Sequence, residues 1–402
     1  MKTNSKVNSD EIELYQESRL VVKIGTSVIT NNKNAVCHKM INTLAAQVSS
    51  LQKKGIKVVI VSSGAIAAGV HRIGWQQKPK KIAELQAAAA VGQVSLVETY
   101  EKEFKKNGLK TAQVLITRED FSFRKRYLNS QATLNTLLNE NILVIVNEND
   151  TVATDEIKVG DNDTLAASIA TTIKANLFII LTDQKGLFTK NPSRSHQAEL
   201  IRSVDIEDDL LSRVASKSLS EFGTGGMETK IKAAKIVATS GINTIIASGF
   251  EDNILLKIKN GNFIGTTILA SKSSKSLSAR KQWMLTHIKA KGKLFLDAGA
   301  IFALSECNKS LLPVGIVKTE GKFDRGDLVI CVTEKGVEIA RGLTNYSSFE
   351  AEKILGLLSD QIEKELGYVE EPEVIHKDNL VLTVSSLEDL KTIGANSSNA
   401  EL

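Results

Sequence analysis

An α/β fold with a doubly wound, mainly parallel sheet, followed by a second, smaller β-rich domain, is what this 402-residue sequence predicts. Three observations predict it. From Arg19 to about Gly261, short apolar runs alternate with longer helical patterns, the order that builds parallel sheets. Most of those runs are continuously apolar, as suits strands buried on both faces. From Gln282 to about Gly367 the runs shorten and turn signals crowd together, as in a compact β domain.

The elements follow in order. Apolar runs place strands at Leu20–Ile24, Lys57–Val61, Thr111–Ile116, Ile142–Val146, Leu177–Leu181 and Thr244–Ala247. Helical spacing places helices at Lys39–Lys53, Ile82–Lys106 (Ala-rich through Ala87–Ala90), Leu128–Asn139 and Asp163–Ile173. A last helix, Met227–Ser240, carries Ile231, Ala234, Ile236, Val237 and Ala238, and Gly241 stops it. Residues 271–281 are polar and read as linker. Beyond them, Lys291-Gly292-Lys293, Glu320-Gly321-Lys322, Arg325-Gly326-Asp327 and Lys335-Gly336 mark the turns of the second domain. The expected division is an N-terminal extension (1–18), an α/β domain (19–262), a linker (263–281), the β-rich domain (282–368) and a tail (369–402).

Composition excludes several classes. The chain is 42% hydrophobic and 24% charged with four prolines, which suits a folded protein of two or three domains. A net charge of +5 is too mild for a dedicated nucleic-acid binder. Cys37, Cys307 and Cys331 are too few and too scattered for a disulfide framework. The five histidines show no metal-ligand spacing. No apolar stretch approaches a membrane span, and residues 1–18 lack the apolar core of a signal peptide. A cytoplasmic protein without a membrane partner is expected.

In an open α/β sheet, ligands bind beyond the C-terminal ends of the strands. Those ends carry Lys23-Ile24-Gly25-Thr26-Ser27, Ser62-Ser63-Gly64-Ala65, Asn147-Glu148-Asn149-Asp150 with Gly160-Asp161-Asn162-Asp163, and Thr182-Asp183-Gln184-Lys185-Gly186. Taken singly, each is an ordinary helix cap, and Asp163 ahead of Thr164–Ile173 suits that role. Together they form a polar edge that caps alone do not explain. Lys23 closes an otherwise apolar strand, so it must snorkel, pair with a carboxylate or face a ligand. The loop Gly223–Lys230 lies directly ahead of a helix, where glycines, free N–H groups and Lys230 suit a phosphate. It is not the Gly-x-x-x-x-Gly-Lys-Ser/Thr phosphate loop, which occurs nowhere in the chain. Lys23 and Lys230 are placed to bracket a polyphosphate, the arrangement phosphoryl transfer needs. Asp150, Asp161 and Asp163 are candidates to orient the lysines or to hold Mg2+ through water. No Ser-His-Asp set, HExxH or Cys-His pair supports nucleophilic or zinc chemistry.

With those residues quoted, a resemblance is plain. Val22–Ser27, Val61–Gly69, Asn147–Asp150, Val159–Asp163, Leu181–Leu187 and Gly223–Lys230 resemble the motifs of the glutamate 5-kinase family, within the amino acid kinase superfamily and its fold. Leu311–Ile316, Phe323–Asp327 and Ile339–Leu343 resemble the PUA domain that many bacterial members carry. One departure is Asn308, where the family usually has glycine. Asn tolerates a left-handed backbone, so no loss of fold is expected.

The resemblance implies transfer of the ATP γ-phosphate to the side-chain carboxylate of L-glutamate, the first step of proline biosynthesis. It implies that Lys23 and Lys230 stabilise the transferring group and that Asp163 holds them. Ser63, Asp150 and Asn162 would bind glutamate. Lys23, Thr182 and Asp183 with Thr224, Gly225, Gly226, Met227, Glu228, Thr229 and Lys230 would bind ATP. Mg2+ would be held mainly by the ATP phosphates, with no direct protein ligand. Proline as feedback inhibitor, glutamyl phosphate reductase as functional partner, and a homo-oligomer are expected. Two alternatives stand beside it: a sister kinase acting on acetylglutamate, aspartate, carbamate or a nucleotide, and an RNA-binding or RNA-modification protein. The Asn147–Asp150 and Gly160–Asp163 clusters with a PUA-like domain argue against the first. The second domain has few aromatics for stacking bases, which argues against RNA binding as the main function.

Overall fold

A computed structural model of the chain describes residues 14–31, 35–153, 162–190, 192, 195, 197–217, 226–270, 281, 288–307, 309–369 and 371–383. The expectations at Asp161, Thr224, Gly225 and Asn308, and for the segment 271–280, lie outside the described residues. The chain divides into two units, Met1–Ser276 and Leu277–Leu402.

The first unit is built on an eight-stranded sheet: β1 (Arg19–Ile24), β2 (Lys57–Val61), β3 (Thr111–Ile116), β4 (Leu143–Glu148), β5 (Leu177–Thr182), β6 (Ser203–Asp205), β7 (Asn243–Ser248) and β8 (Gly265–Leu269). Their order is β3-β4-β2-β1-β5-β7-β8-β6. Every pairing is parallel except β7 with β8. Each of the six expected strands is present. β6 and β8 add to them, and β8 lies beyond residue 262, so the sheet extends past the boundary expected from sequence.

The helices of this unit are α1 (Thr26–Ile29), α2 (His38–Gln52), α3 (Ala65–Ile73), α4 (Ile82–Lys106), α5 (Arg118–Ser122), α6 (Arg124–Asn139), α7 (Asp163–Thr172), α8 (Asp209–Lys217), α9 (Met227–Ala238) and α10 (Ile254–Lys259). β1, β2, β4 and β5 are buried almost throughout, which is why their sequences are continuously apolar. Leu20, Val22, Ile24, Val58, Ile60, Leu177 and Ile179 form one core with Leu44, Val48, Leu96, Tyr100 and Phe104 from α2 and α4.

Chain order places β2, β4 and β3 on one side of β1 and β5, β7, β8 and β6 on the other. The winding reverses at β1, and such a reversal opens a crevice at the C-terminal strand ends. Two glycines bring α3 and α4 together. A Cβ on Gly69 in α3 would lie 1.7 Å from the Ala88 carbonyl oxygen, and one on Gly92 in α4 would lie 1.8 Å from that of Ala65. The two helices therefore meet backbone to backbone.

The second unit carries a five-stranded sheet of β9 (Gly292–Leu296), β10 (Ile316–Gly321), β11 (Leu328–Thr333), β12 (Glu338–Leu343) and β13 (Leu380–Leu382), in the order β10-β9-β11-β12-β13. Among the described residues, short helices α11 (Ala298–Ser305), α12 (Ser348–Lys353) and α13 (Ile362–Leu366) accompany it. Its own core includes Leu294, Leu296, Val329, Cys331, Ile339 and Tyr346. Burial pushes the Cys331 thiol up to about 12, so it packs as an inert apolar group. Among the described residues, no helix is long and apolar enough to cross a membrane.

Candidate active site

β1 delivers the first functional side chain. Lys23 pairs in register with Val61 of β2 and Ile180 of β5, between two apolar neighbours, and is 5% exposed. A buried ammonium needs a counter-charge. Its Nζ lies 2.6 Å from Asp163 Oδ1. Lys230, the fourth residue of α9 and 6% exposed, reaches the other oxygen, with Nζ 3.1 Å from Asp163 Oδ2. Asp163 itself is fully buried. One carboxylate thus receives two ammonium groups from two elements far apart in sequence.

The helix-cap reading of Asp163 fails here. The N-cap of α7 is Asn162, which makes no side-chain capping hydrogen bond, and Asp163 is the first residue inside the helix. Its carboxylate goes to the lysines because two buried charges outweigh one backbone N–H. The helix dipole also favours a negative charge at that end.

Thr229 adds a third group. Its hydroxyl lies 2.9 Å from Asp163 Oδ2 and 2.7 Å from the Gly226 carbonyl, so its single hydrogen can serve either. Thr229 thereby ties the start of α9 to Asp163. Gly226 is the N-cap of α9, and a Cβ there would meet no atom within 4 Å. Neither strain nor crowding among the described residues calls for glycine at that point. Met227 is half-buried and Glu228 is exposed.

A second polar group adjoins the first. Asn162 Nδ2 donates to the Ser62 carbonyl at 2.6 Å and to Asn147 Oδ1 at 2.7 Å. Asn147 Nδ2 donates to Gln93 Oε1 at 2.7 Å. Ser62 Oγ lies 3.1 Å from the Tyr100 hydroxyl. Burial pushes the Tyr100 phenol well above its ordinary range, a rise that the Ser62 hydrogen bond partly opposes. Ser63 is buried and leads into Gly64, whose φ of +92° requires glycine for the turn into α3.

The remaining expected residues line the same strand edge. Asp150 is half-buried in the turn after β4. Thr182 ends β5 and donates from Oγ1 to Asp183 Oδ1 at 2.9 Å, and Asp183 is exposed. Sequence reasoning missed Gln93, Asn147, Ser62 and Tyr100 as site residues. Asn147 stood inside a quoted motif; Gln93 and Tyr100, in the middle of a helix, carried no local signal.

A doubly wound sheet with buried lysines converging on one carboxylate at the winding reversal describes the amino acid kinase class. The model of the Amino acid kinase family matches residues 18–248, more than half of the chain, and that of the PUA domain matches residues 292–366. Curated relatives narrow the class. Glutamate 5-kinase from Nitrosospira multiformis is 50% identical over 92% of this chain and 100% of its own length. Those from Burkholderia thailandensis and Methylococcus capsulatus are 50% and 49% identical, each over 92% of this chain and 99% of their own. The chain belongs to the glutamate 5-kinase family. Among solved structures, UMP kinase from Ureaplasma parvum aligns with 63% of this chain and 99% of its own at a TM-score of 0.46 and 13% identity.

Proposed function

We propose that this site moves the γ-phosphoryl group of ATP onto the side-chain carboxylate of L-glutamate, giving L-glutamyl 5-phosphate and ADP. This is the first step of proline biosynthesis. The supporting observation is the convergence of Lys23 and Lys230 on Asp163 at the strand edge. A glutamate carboxylate oxygen attacks the γ-phosphorus as the bond to the β–γ bridging oxygen breaks. The attacking carboxylate is already ionised at neutral pH, so the step needs no general base. That agrees with an Asp163 given over to lysines. What the step needs is neutralisation of charge spread over the transferring group, and two ammonium groups held in place supply it without reorganisation.

In this reading Ser63, Asp150 and Asn162 hold glutamate, and the Asp150 carboxylate suits the substrate ammonium. Lys23, Thr182, Asp183 and the segment Thr224–Lys230 hold ATP, with its phosphates over the open backbone of Gly226. Because the lysines occupy Asp163, Mg2+ would be held mainly by the ATP phosphates, with Asp150 a candidate to hold it through water, as suits a hard cation. Bound there, it would supply positive charge against the phosphates. The labile product calls for a glutamyl phosphate reductase that consumes it. Proline feedback, a homo-oligomer, RNA binding by the PUA domain and a cytoplasmic location belong to the same proposal.

The test is the product. With Mg-ATP and L-glutamate, hydroxylamine should trap an acyl phosphate as its hydroxamate. L-Aspartate, one methylene shorter, stops about 1 Å short of in-line geometry and should react on the order of 10²-fold more slowly. Faster trapping with aspartate, carbamate or acetylglutamate would refute the reading.

A further inference from the structure

We infer that Gln93, a residue of α4 that does not touch the reacting groups, is a positioning residue for the acceptor amino acid. This inference rests on the proposal that Asn162 meets that substrate. The argument starts from a group that cannot change roles. The Ser62 carbonyl only accepts, so the side-chain atom of Asn162 that faces it at 2.6 Å must be the amide nitrogen. The same nitrogen faces Asn147 at 2.7 Å, so Asn147 must offer its oxygen there. Asn147 then turns its nitrogen toward Gln93, and Gln93 must offer its own oxygen, again at 2.7 Å. One backbone carbonyl thereby sets the direction of three amides. Both hydrogens of the Asn162 amide are taken, and among the described residues no group donates to Oδ1, which is left to accept from a ligand. An amide oxygen suits the ammonium group of an amino acid.

Gln93 terminates the chain. Its Nε2 is buried without a hydrogen-bond partner among the described residues. Leaving a donor unpaired is costly, which marks this side chain as held for its oxygen. Its neighbour explains how it stays in place. Gly92 fixes α4 against the α3 backbone, and two turns along the same helix Tyr100 meets Ser62. Without the Gln93 acceptor, the Asn147 amide is free to rotate. If it turns its nitrogen toward Asn162, two donors face each other, and Asn162, still held by the Ser62 carbonyl, loses its second acceptor and the fixed angle at which it presents Oδ1.

The experiment compares Gln93→Leu, which removes the acceptor, with Gln93→Glu, which keeps one. Steady-state KM for L-glutamate and for ATP, kcat and thermal stability are measured on the full chain. Q93L should raise the glutamate KM by about tenfold or more, while the ATP KM stays within about twofold. Q93E should bring the glutamate KM back to within about threefold of the parent, because an oxygen again faces Asn147. Should Q93L lose its fold, Gln93→Met, of similar length and unbranched, takes its place. An unchanged glutamate KM, equal rises in both KM values, or a Q93E as impaired as Q93L would overturn the inference. If the parent enzyme turns over a different acid faster, the glutamate reading falls, and the same comparison run on that acid still tests Gln93.

Discussion

At the residue scale, the site gathers costly groups around Asp163. Replacing a buried ion cluster by apolar residues is often neutral or stabilising, so two lysines and a carboxylate in a sheet core are poorly explained by stability. Their arrangement suits a charge that arrives with the substrate and shifts in the transition state. Lys230→Ala should therefore cut kcat on the order of 10²–10³-fold, since one such contact is worth that much. The fold should survive, because Asp163 keeps its 2.6 Å partner Lys23. A near-parental kcat in the hydroxamate assay, with an unchanged melting temperature, would make Lys230 a structural lysine. Legibility at this scale varied with the number of roles a residue can fill. Lys23 stood out because a lysine has few reasons to close an apolar strand. Asp163 was ambiguous, since a carboxylate at a helix start is also an ordinary cap. Gln93 was invisible: its partner Asn147 lies 54 positions away, and no local pattern encodes that meeting.

At the element scale, α4 links packing to chemistry. Its 25 residues match the expected Ile82–Lys106 because the run is long and its termini are clear. α3 was not foreseen. It is only nine residues long and its buried face is mostly small, Ala65, Ala68 and Gly69, which lets it sit in close backbone contact with α4. β6 escaped because it has only three residues, and β8 because Gly-Thr-Thr-Ile-Leu is not a continuous apolar run. Glycine inside an open helix is worse than alanine by roughly 0.5–1 kcal/mol, so Gly92→Ala would ordinarily stabilise. Here the sign should reverse. The new Cβ would sit 1.8 Å from the Ala65 carbonyl oxygen and 2.4 Å from the Gly69 nitrogen, and backbone cannot rotate aside. Overpacking of this kind typically costs about 1–3 kcal/mol. The displaced α4 should also carry Gln93 and Tyr100 away from Asn147 and Ser62, raising the glutamate KM. Thermal melts and kinetics beside the exposed control Glu101→Ala check both effects. A G92A as stable as that control would show that the two helices can part without loss.

At the scale of the whole molecule, two units carry two separate cores and two separate sheets. Every residue given a role in phosphoryl transfer lies in the first. Sequence alone set the end of the α/β domain at 262, before β8. That strand pairs antiparallel with β7 and parallel with β6, so a cut at 262 would expose the β7 edge and strand β6. Exposed strand edges invite aggregation. The separable fragment should therefore end at about Ser276, the last residue of the first unit. A chain of residues 1–276 should stay soluble and form the glutamyl hydroxamate at a rate close to that of the full chain. A chain ending at 262 should precipitate or melt at a markedly lower temperature, because it lacks the strand that joins β6 to the sheet. The comparison separates two roles for the second unit. Full activity in the longer fragment would leave the PUA domain to regulation or assembly. An inactive but folded fragment would mean that the second unit contributes to the site itself.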